Sequence, residues 1–382
     1  MAERRFRFIV LSLFFFFLFV GIIYSQITSR MPAIKEISGV DESGLGLALS
    51  SLGAGSLFGF ATIPVLIKKL SSRTMLRGGA FGVLVLFLLT PFVYDLVSLC
   101  LLFALLGLSF AYFEIAINNQ IINLELLSGG HYMLRMHAGW NIGALAGSIS
   151  GSIFAWYVPG LATNFLSLGI LFIIPVLLAA RFLLEDVAPE GMEEKKGFGK
   201  VPLAVIFCGL FAMCAYTVEG SIAEWGGLVM VQEKESSESL AALVYGSYSL
   251  VTAITRLCSD KIRNTIGDFR IILFGGILAF IGMSLVIFTH SPYLTLTGYG
   301  MCGIGLAPLV PIILSRVGHR DDIHPSAATT IVSLFGYGGI LVIPPSLGFL
   351  AQQFGLINAL FLPLALVTTV IFASFVIRRM RA

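Results

Sequence analysis

Charged residues are scarce in this chain, and their scarcity excludes a soluble domain. Asp, Glu, Lys and Arg make up 12% of the 382 residues, whereas apolar residues make up 57%. Soluble domains carry roughly 25% charged residues. The mean hydropathy of +0.94 is correspondingly high. The net charge is only +3, so no nucleic-acid partner is expected.

Several patterns that carry chemistry are also missing. The five cysteines are odd in number and widely spaced, which favours packing roles over a disulfide framework or a metal pair. The sequence has no P-loop and therefore no ATP site. The G-x-G-x-x-G of Gly298, Gly300 and Gly303 lies inside an apolar run, which is typical of helix packing, and residues 319–324 are typical of a solvated turn. We predict no catalytic residues, no cofactor and no metal.

Long uncharged runs are present instead. A membrane-spanning helix needs about 20 apolar residues, and a charge at mid-membrane is costly, so these runs mark the spans. Three of them are long enough for two spans each and divide near Pro159, residues 290–292 and residues 352–355. The predicted spans, twelve in all, lie within residues 8–29, 43–67, 78–94, 96–113, 136–180, 201 onwards, 240–256, 271–315 and 325–377.

Basic residues predict the orientation, because positively charged loops remain in the cytoplasm. With the N-terminus inside, the outer loops hold only Arg30, Lys35 and Lys234 of the 24 Lys and Arg. Both termini are therefore expected in the cytoplasm. The first span lacks a small-residue cleavage site and is expected to be retained.

One polar segment divides the chain into two halves. Residues 185–201, rich in Gly, Pro and mixed charge, are predicted to be a cytoplasmic linker between six-helix bundles at 1–184 and 202–382. Each half has a basic loop after its second span, at residues 68–77 and 256–270. The predicted fold class is all-α integral membrane, with parallel six-helix repeats that are typical of one large transporter architecture.

The second of these loops carries a recognisable signature. Arg256, Asp260, Lys261 and Arg263 resemble the R-x-x-x-D-[RK] loop of the major facilitator superfamily, where the Asp bonds to a neighbouring helix terminus and holds one conformational state closed. A helix N-terminus favours an anion such as this Asp. The resemblance implies a gating role for these four residues, and an ordinary basic loop is the alternative. Lys68 stands at the corresponding position of the first half, where the signature is degenerate.

Other blocks resemble one branch of that superfamily. Residues 29–34, 113–120, 137–143, 219–225 and 336–339 are similar to the YbjJ-like permeases of bacterial inner membranes and, more distantly, to the fucose permease branch. This resemblance implies a multi-pass permease of the bacterial inner membrane with the major facilitator fold. It does not identify a substrate.

Two carboxyl groups are candidates for proton coupling. Glu114 lies in the fourth span on the same face as Asn118, and fucose-permease-like proteins use a Glu in this E-x-A-x-N context to couple protons to transport. The span-one Asp of those permeases is Thr28 here. A Glu114 paired only for assembly is the alternative. Glu219 is the second candidate, whereas Glu224 is expected to be a solvated rim residue.

Amides and aromatic rings within the spans are suited to a hydroxylated solute, since amides bond hydroxyls and ring faces pack on C–H patches. Gln26 and Arg30 share one face of the first span, and Arg30 reaching the outer headgroups is the alternative. The predicted substrate-binding residues are Gln26, Arg30, Asn118, Asn119, Trp140, Asn141, Trp225, Tyr245, Tyr248 and Tyr337.

Glycines at four-residue spacing predict close helix approach. The fifth span carries Gly139, Gly143, Gly147 and Gly151, and the eleventh carries Gly336 and Gly339 before an expected break at Pro344–Pro345. Such surfaces suit a sliding interface between the two halves.

Together these features predict a secondary active transporter, coupled to protons, that moves a small sugar-like solute by alternating access. Its expected partners are the solute, protons and the lipid bilayer, and the chain is expected to be a monomer. Two alternatives remain open: an exporter of drugs or metabolites, favoured by the 32 phenylalanines, and a non-transporting receptor or scaffold on the same fold. An enzyme would need a reactive constellation that the spans do not contain.

Overall fold

The structure is a computed structural model. All regular secondary structure among its described residues is helical. The structure describes residues 3–66, 70–129, 132–158, 160–185, 201–318, 323 and 325–379. The chain divides into two compact units, Met1–Gly191 and Met192–Ala382. All but the two ends of the predicted linker lie outside the described residues.

The first unit is built around α1 and α5. α1 packs on α6, and α5 packs on both α3 and α4. The rings of Phe87 and Phe165, with centroids 4.4 Å apart, join α4 to α7. The helices are α1 (Glu3–Ser29), α2 (Met31–Ser38), α3 (Glu42–Leu66), α4 (Ser72–Leu89), α5 (Leu96–Ser128), α6 (Met133–Tyr157) and α7 (Leu161–Ala179), with 3-10 turns at Thr90–Phe92 and Ala180–Phe182.

The second unit is built around α8 and α10. α8 packs on α13 and α15, while α10 packs on α11 and α15. A π-helical turn, Val229–Glu233, extends α8. The helices are α8 (Leu203–Leu228), α9 (Glu238–Ala241), α10 (Leu243–Phe288), α11 (Pro292–Leu306), α12 (Leu309–Gly318), α13 (Pro325–Phe354), α14 (Leu356–Ala359) and α15 (Phe361–Arg379).

The predicted twelve-helix membrane fold is confirmed. Within the described residues, ten helical segments are long and apolar enough to cross a membrane. α6, with 25 residues, and α13, with 30, supply two more helices of membrane-spanning length.

The basic loop expected at residues 256–270 is shorter than predicted. α10 continues past Arg256 and leaves helical geometry only at Gly267, where φ is 80° and ψ is 162°. No glycine or proline stands between Arg256 and Gly267, so nothing in the sequence stops the helix. Glycine has no Cβ and adopts positive φ at little cost.

The expected break at Pro344–Pro345 is wrong. α13 runs through both prolines without interruption, as α7 runs through Pro175. A proline removes one backbone donor, but neighbouring helices and local adjustments satisfy the freed carbonyl groups in membrane bundles. The double proline is therefore part of the helix.

The glycine stripes form interfaces within each unit, so the expected sliding interface between the halves is wrong for them. A Cβ at Gly143 would overlap the carbonyl oxygen of Leu18 on α1. A Cβ at Gly147 would lie 2.5 Å from the carbonyl oxygen of Ile22 on α1. In the second unit Gly339 lies against Thr217 of α8. The Gly298 region is likewise confirmed as helix packing, since a Cβ there would meet the Gly282 carbonyl.

Candidate functional site

A carboxyl, a phenol and a guanidinium come together inside the second unit. Tyr248 of α10 is hydrogen-bonded to the Glu219 carboxyl of α8, and the Arg256 charge acts on both groups. The rings of Tyr245 and Tyr248 are stacked, with centroids 6.3 Å apart and planes at 14°. Arg256 also donates from Nε to the Ala307 carbonyl oxygen at 3.4 Å. Tertiary packing thus unites a residue predicted for proton coupling, a residue predicted for substrate binding and a residue predicted for gating.

A pocket lies beside this cluster, between α8 and α13. It holds about 290 Å³ of empty space including its mouth. Its polar wall is Thr217, Ser221, Glu224 and Trp225, and its other lining residues are Tyr216, Gly220, Gly339, Ile343, Pro344 and Leu347. The polar groups all come from α8, whereas α13 contributes only glycine and apolar surface.

Glu224 belongs to this pocket, and its expected place on a solvated rim is wrong. Its side chain is buried, with 6% of the residue exposed. The turns on either side of it on α8 are also buried. A position near the predicted end of a span gives depth in the membrane, but the packing of α8 against its neighbours decides exposure.

Two polar atoms of the pocket wall have no hydrogen-bond partner among the described residues. They are Nε1 of Trp225, whose residue is 1% exposed, and Oγ1 of Thr217. Ser221 differs from them, because its hydroxyl donates to the Val218 carbonyl at 2.7 Å. Buried polar groups in folded proteins are almost always paired. Trp225 and Thr217 thus line the pocket, and each carries a buried hydrogen-bonding atom without a described partner.

Sequence reasoning singled out Trp225 but missed Thr217 and Ser221. Their signal is periodic: Thr217, Ser221 and Glu224 follow one another at spacings of four and three residues, which places them on one face of a helix. A polar face on an otherwise apolar span must point into the bundle. The stripe was readable from the sequence.

In the first unit, the predicted binding residues of α1 are buried. Arg30 is 1% exposed, so its expected alternative, reaching the outer headgroups, is wrong. Gln26 is fully buried and donates from Nε2 to Ser150 Oγ at 3.5 Å. Ser29 donates to the Gln26 carbonyl at 3.1 Å. The Gln26–Ser150 contact joins α1 to α6 along the glycine stripe.

The remaining predicted residues of the first unit are only partly buried. Trp140 packs against Tyr24 of α1, with ring centroids 5.6 Å apart. Asn141 follows it on α6 and is half-buried. On α5, Glu114 lies one helical turn before Asn118, and both are half-buried, as is Asn119.

The predicted gating residues are only partly described. The side chains of Asp260 and Lys261, like that of Tyr337 in the predicted binding set, lie outside the described part of the structure. Arg263 forms a salt bridge with Asp268, whose carboxylate also binds Arg316 of α12 at 2.6 Å. Asp268 was not predicted as a site residue, although it directly follows Gly267, the residue at which α10 is kinked.

No cluster of metal-ligating side chains occurs among the residues that the structure describes. The 319–324 segment, with its two histidines, lies outside them apart from Ile323.

Comparison with known proteins finds a family match and relatives of similar length. The model of the Major Facilitator Superfamily matches residues 9–322. An uncharacterised MFS-type transporter of Yersinia pestis is 26% identical over 328 residues, covering 84% of this chain and 83% of that protein. Membrane protein MosC of Rhizobium meliloti is 26% identical over 376 residues, covering 96% and 90%.

Solved structures share the fold at lower identity. A crystal structure of a point mutant of the nucleoside transporter NupG has a TM-score of 0.78 and 14% identity, covering 97% of this chain and 99% of that one. A bacterial homologue of the human lysosomal transporter Spinster, inward-facing and unoccupied, has a TM-score of 0.78 and 12% identity, covering 100% and 99%. Identities this low establish similarity of fold alone.

Proposed function

The chain belongs to the Major Facilitator Superfamily, whose matched relatives include membrane transporters, and we propose that it moves a small, polar, sugar-like solute by proton-coupled alternating access. The proposal places it in the bacterial inner membrane as a monomer, with both termini in the cytoplasm and with halves at 1–184 and 202–382. Its placement in the YbjJ-like group, distantly similar to the fucose permease branch, is part of the proposal.

The observation that carries the proposal is the Glu219–Tyr248–Arg256 cluster. An ionisable residue inside a membrane bundle is expensive and generally marks an ion or substrate pathway. Here a carboxyl has a phenol as its hydrogen-bond partner and a guanidinium close enough to stabilise its charge. Protonation of Glu219 would weaken its attraction to Arg256, so proton binding would change the contacts between α8 and α10. This supports coupling between a proton and helix movement.

Stacked aromatic rings within and beside that cluster support a sugar-like solute. Tyr245 and Tyr248 are 5% and 2% exposed and form a stacked pair. The first unit, described by itself, also has a ring and an amide in its predicted binding set, those of Trp140 and Asn141. Flat rings pack against the C–H faces of a sugar while amides and carboxyls bind its hydroxyls. Glu114 would carry the coupled proton in the first unit, as the resemblance implies.

The experiment is transport by purified protein in vesicles. A panel of sugars and polyols is first ranked by the increase in thermal stability that each causes, because a ligand that binds the folded state stabilises it by mass action. The best ligand is then offered in labelled form under an imposed pH gradient. We expect accumulation that a protonophore abolishes, and loss of that accumulation in Glu219→Gln.

Other results would support the alternatives. Uptake that is equal with and without the pH gradient would contradict proton coupling. Stabilisation by a ligand without any flux would favour a receptor or scaffold. Stabilisation only by apolar, drug-like compounds would favour an exporter. A reporter fused within residues 233–239 should be periplasmic and one within 185–200 cytoplasmic, and the reverse arrangement would contradict the proposed topology.

A further inference from the structure

The pocket between α8 and α13 has a specific chemical character that extends the solute site of the proposed function. Its polar wall presents three kinds of hydrogen-bonding group at close spacing along α8. Glu224 supplies carboxyl oxygens, Trp225 supplies an N–H donor, and Thr217 supplies a hydroxyl that can donate or accept. We propose that this pocket, defined by Thr217, Gly220, Glu224, Trp225 and Pro344, binds two adjacent hydroxyl groups of the transported solute.

The unpaired atoms decide which class of ligand fits. Trp225 Nε1 and Thr217 Oγ1 are buried without a described partner, and an indole nitrogen is a donor only. An ammonium group would satisfy the Glu224 carboxyl but has no acceptor for the indole N–H. A pair of hydroxyls satisfies both, because one hydroxyl donates to Glu224 while the other accepts from Trp225. A neutral diol therefore fits this wall better than an amine.

The opposite wall fits the carbon side of such a group. Ile343, Pro344 and Leu347 of α13 line the pocket and can bury C–H surface. Gly339 allows this approach, since a Cβ there would lie 2.7 Å from Thr217 Oγ1 and displace the hydroxyl. A site with hydrogen-bonding groups on one side and apolar surface on the other is the usual design of a small-molecule pocket.

Gly220 provides a way to close the pocket without disturbing the helix. It lines the pocket, and a Cβ built on it meets no described atom within 4 Å. Gly300 of α11 is equally open but does not line the pocket. Because alanine and leucine are better helix formers than glycine, Gly220→Leu should fold, and Gly300→Leu is its matched control.

The experiment measures binding of three ring compounds that differ in their polar groups. They are cyclohexane-1,2-diol, cyclohexanol and cyclohexylamine, and their binding to the purified full chain is followed by isothermal titration calorimetry, so that every residue of the proposed solute site stays in place. We expect the diol to bind tightest. Glu224→Gln and Thr217→Val should each weaken the diol by about tenfold or more, the effect of one hydrogen bond lost at a buried or charged partner, and leave cyclohexanol nearly unchanged.

Gly220→Leu should abolish diol binding, whereas Gly300→Leu and the exposed Glu235→Gln should bind as the parent does. If Glu224→Gln fails to fold, Gly220→Leu and Thr217→Val still test the proposed pocket. Tighter binding of the amine than of the diol, equal binding of diol and cyclohexanol, no binding of any of the three, or diol binding that survives Gly220→Leu would each overturn the proposal.

This inference rests on the proposed function, because it names part of the same solute site. The proposed function and the proposed pocket can each fail without the other. Binding of the diol series is measured without a gradient and tests only the pocket, whereas accumulation under a pH gradient tests coupling at Glu219. If the protein accumulates a solute and Gly220→Leu does not weaken diol binding, the proposed function stands and the proposed pocket is contradicted.

Discussion

Gln120 is a single side chain that completes the backbone pairing of a chain segment. Its Oε1 accepts from the Leu184 N–H at 2.7 Å, and its Nε2 donates to the Leu184 carbonyl at 2.9 Å and to Ser72 Oγ at 2.6 Å. The residue is fully buried. It therefore fixes the segment after α7 to α4 and α5, where no helix hydrogen bonds are available to Leu184.

Replacing Gln120 with alanine should destabilise the first unit. Two buried backbone groups of Leu184 would lose their partner, at a cost of about 2–4 kcal/mol. We expect a clearly lower midpoint of thermal unfolding in detergent for Gln120→Ala. The exposed Gln353→Ala is the control, and equal midpoints for the two variants would show that water replaces the lost bonds.

Lys234 is a buried cation just outside the last turn of the seventh span. It is 5% exposed and donates from Nζ to the Thr289 carbonyl at 2.6 Å. Burial is the largest influence and lowers the pKa of Lys234 below its ordinary value of 10.5, although the neighbouring Glu233 acts in the opposite direction. The folded protein therefore releases this proton more easily than the unfolded chain does.

That lowered pKa predicts a stability that rises with pH. Between the folded pKa of Lys234 and 10.5, the unfolded chain binds more protons than the folded protein, so the free energy of unfolding increases as pH increases. Lys234→Met should remove this increase. The measurement is the difference in unfolding midpoint between parent and variant across the alkaline range, and a difference that does not change with pH would contradict the prediction.

The residue scale also shows what a sequence can specify. The carboxyl groups in the spans were identifiable because charges are rare there. Whether Glu224 or Arg30 faces the bundle depends on which helix covers it, and this is a property of tertiary packing. Only a periodic set, such as Thr217, Ser221 and Glu224, carries that information within the sequence itself.

At the scale of elements, α1 and α6 approach so closely that side chains are excluded from their contact. A Cβ on Gly143 would overlap the backbone oxygen of Leu18, and backbone cannot move aside as a flexible side chain can. Gly143→Ala should therefore cost about 1–3 kcal/mol through overpacking. It should lower the unfolding midpoint and shorten the lifetime of the purified protein.

Gly78 of α4 is the matched control for that change. A Cβ there meets no described atom within 4 Å, so Gly78→Ala should be neutral or stabilise the helix by up to about 1 kcal/mol. Destabilisation of equal size in both variants would indicate a general requirement for glycine in these helices, and it would contradict the role of the α1–α6 contact.

The same helices show why the sequence predicts each helix better than it predicts which helices pack together. Four-residue glycine spacing correctly predicted close approach, but a small-residue face is compatible with any neighbour, and the neighbour is α1 of the same unit. At Gly267 the sequence contained the kink that ends the first half of α10, yet basic composition alone gave the loop the wrong extent. At Pro344–Pro345 a local rule was overridden by the surrounding bundle.

At the scale of the whole molecule, twelve helices followed from the cost of charge in lipid, which acts on every span independently. The Glu219–Tyr248–Arg256 cluster did not follow from that rule, because its members come from spans seven and eight and were assigned three different roles. Their association depends on the packing of α8 against α10. In such a chain the function depends on contacts between helices, whereas most of the fold can be predicted from one span at a time.

Coupling is the property that tests the whole molecule, and Glu114 provides its sharpest test. Glu114→Gln keeps the size and hydrogen-bonding capacity of the side chain while removing its titration. If Glu114 carries the coupled proton, the variant should bind solute and exchange it across the membrane, because exchange requires reorientation but no release of the proton. Accumulation driven by a pH gradient should be lost.

A structural role for Glu114 predicts a different pattern of results. If the carboxylate only pairs with a buried charge, removing it costs about 3–5 kcal/mol, so expression and thermal stability fall together with binding, exchange and accumulation. Vesicles containing the parent, Glu114→Gln or the exposed Glu235→Gln separate these cases when exchange and accumulation are measured on the same preparation. Full accumulation by well-folded Glu114→Gln would eliminate Glu114 as the coupling site and leave Glu219, whose carboxyl already has a phenol and a guanidinium within reach, as the group that binds the proton.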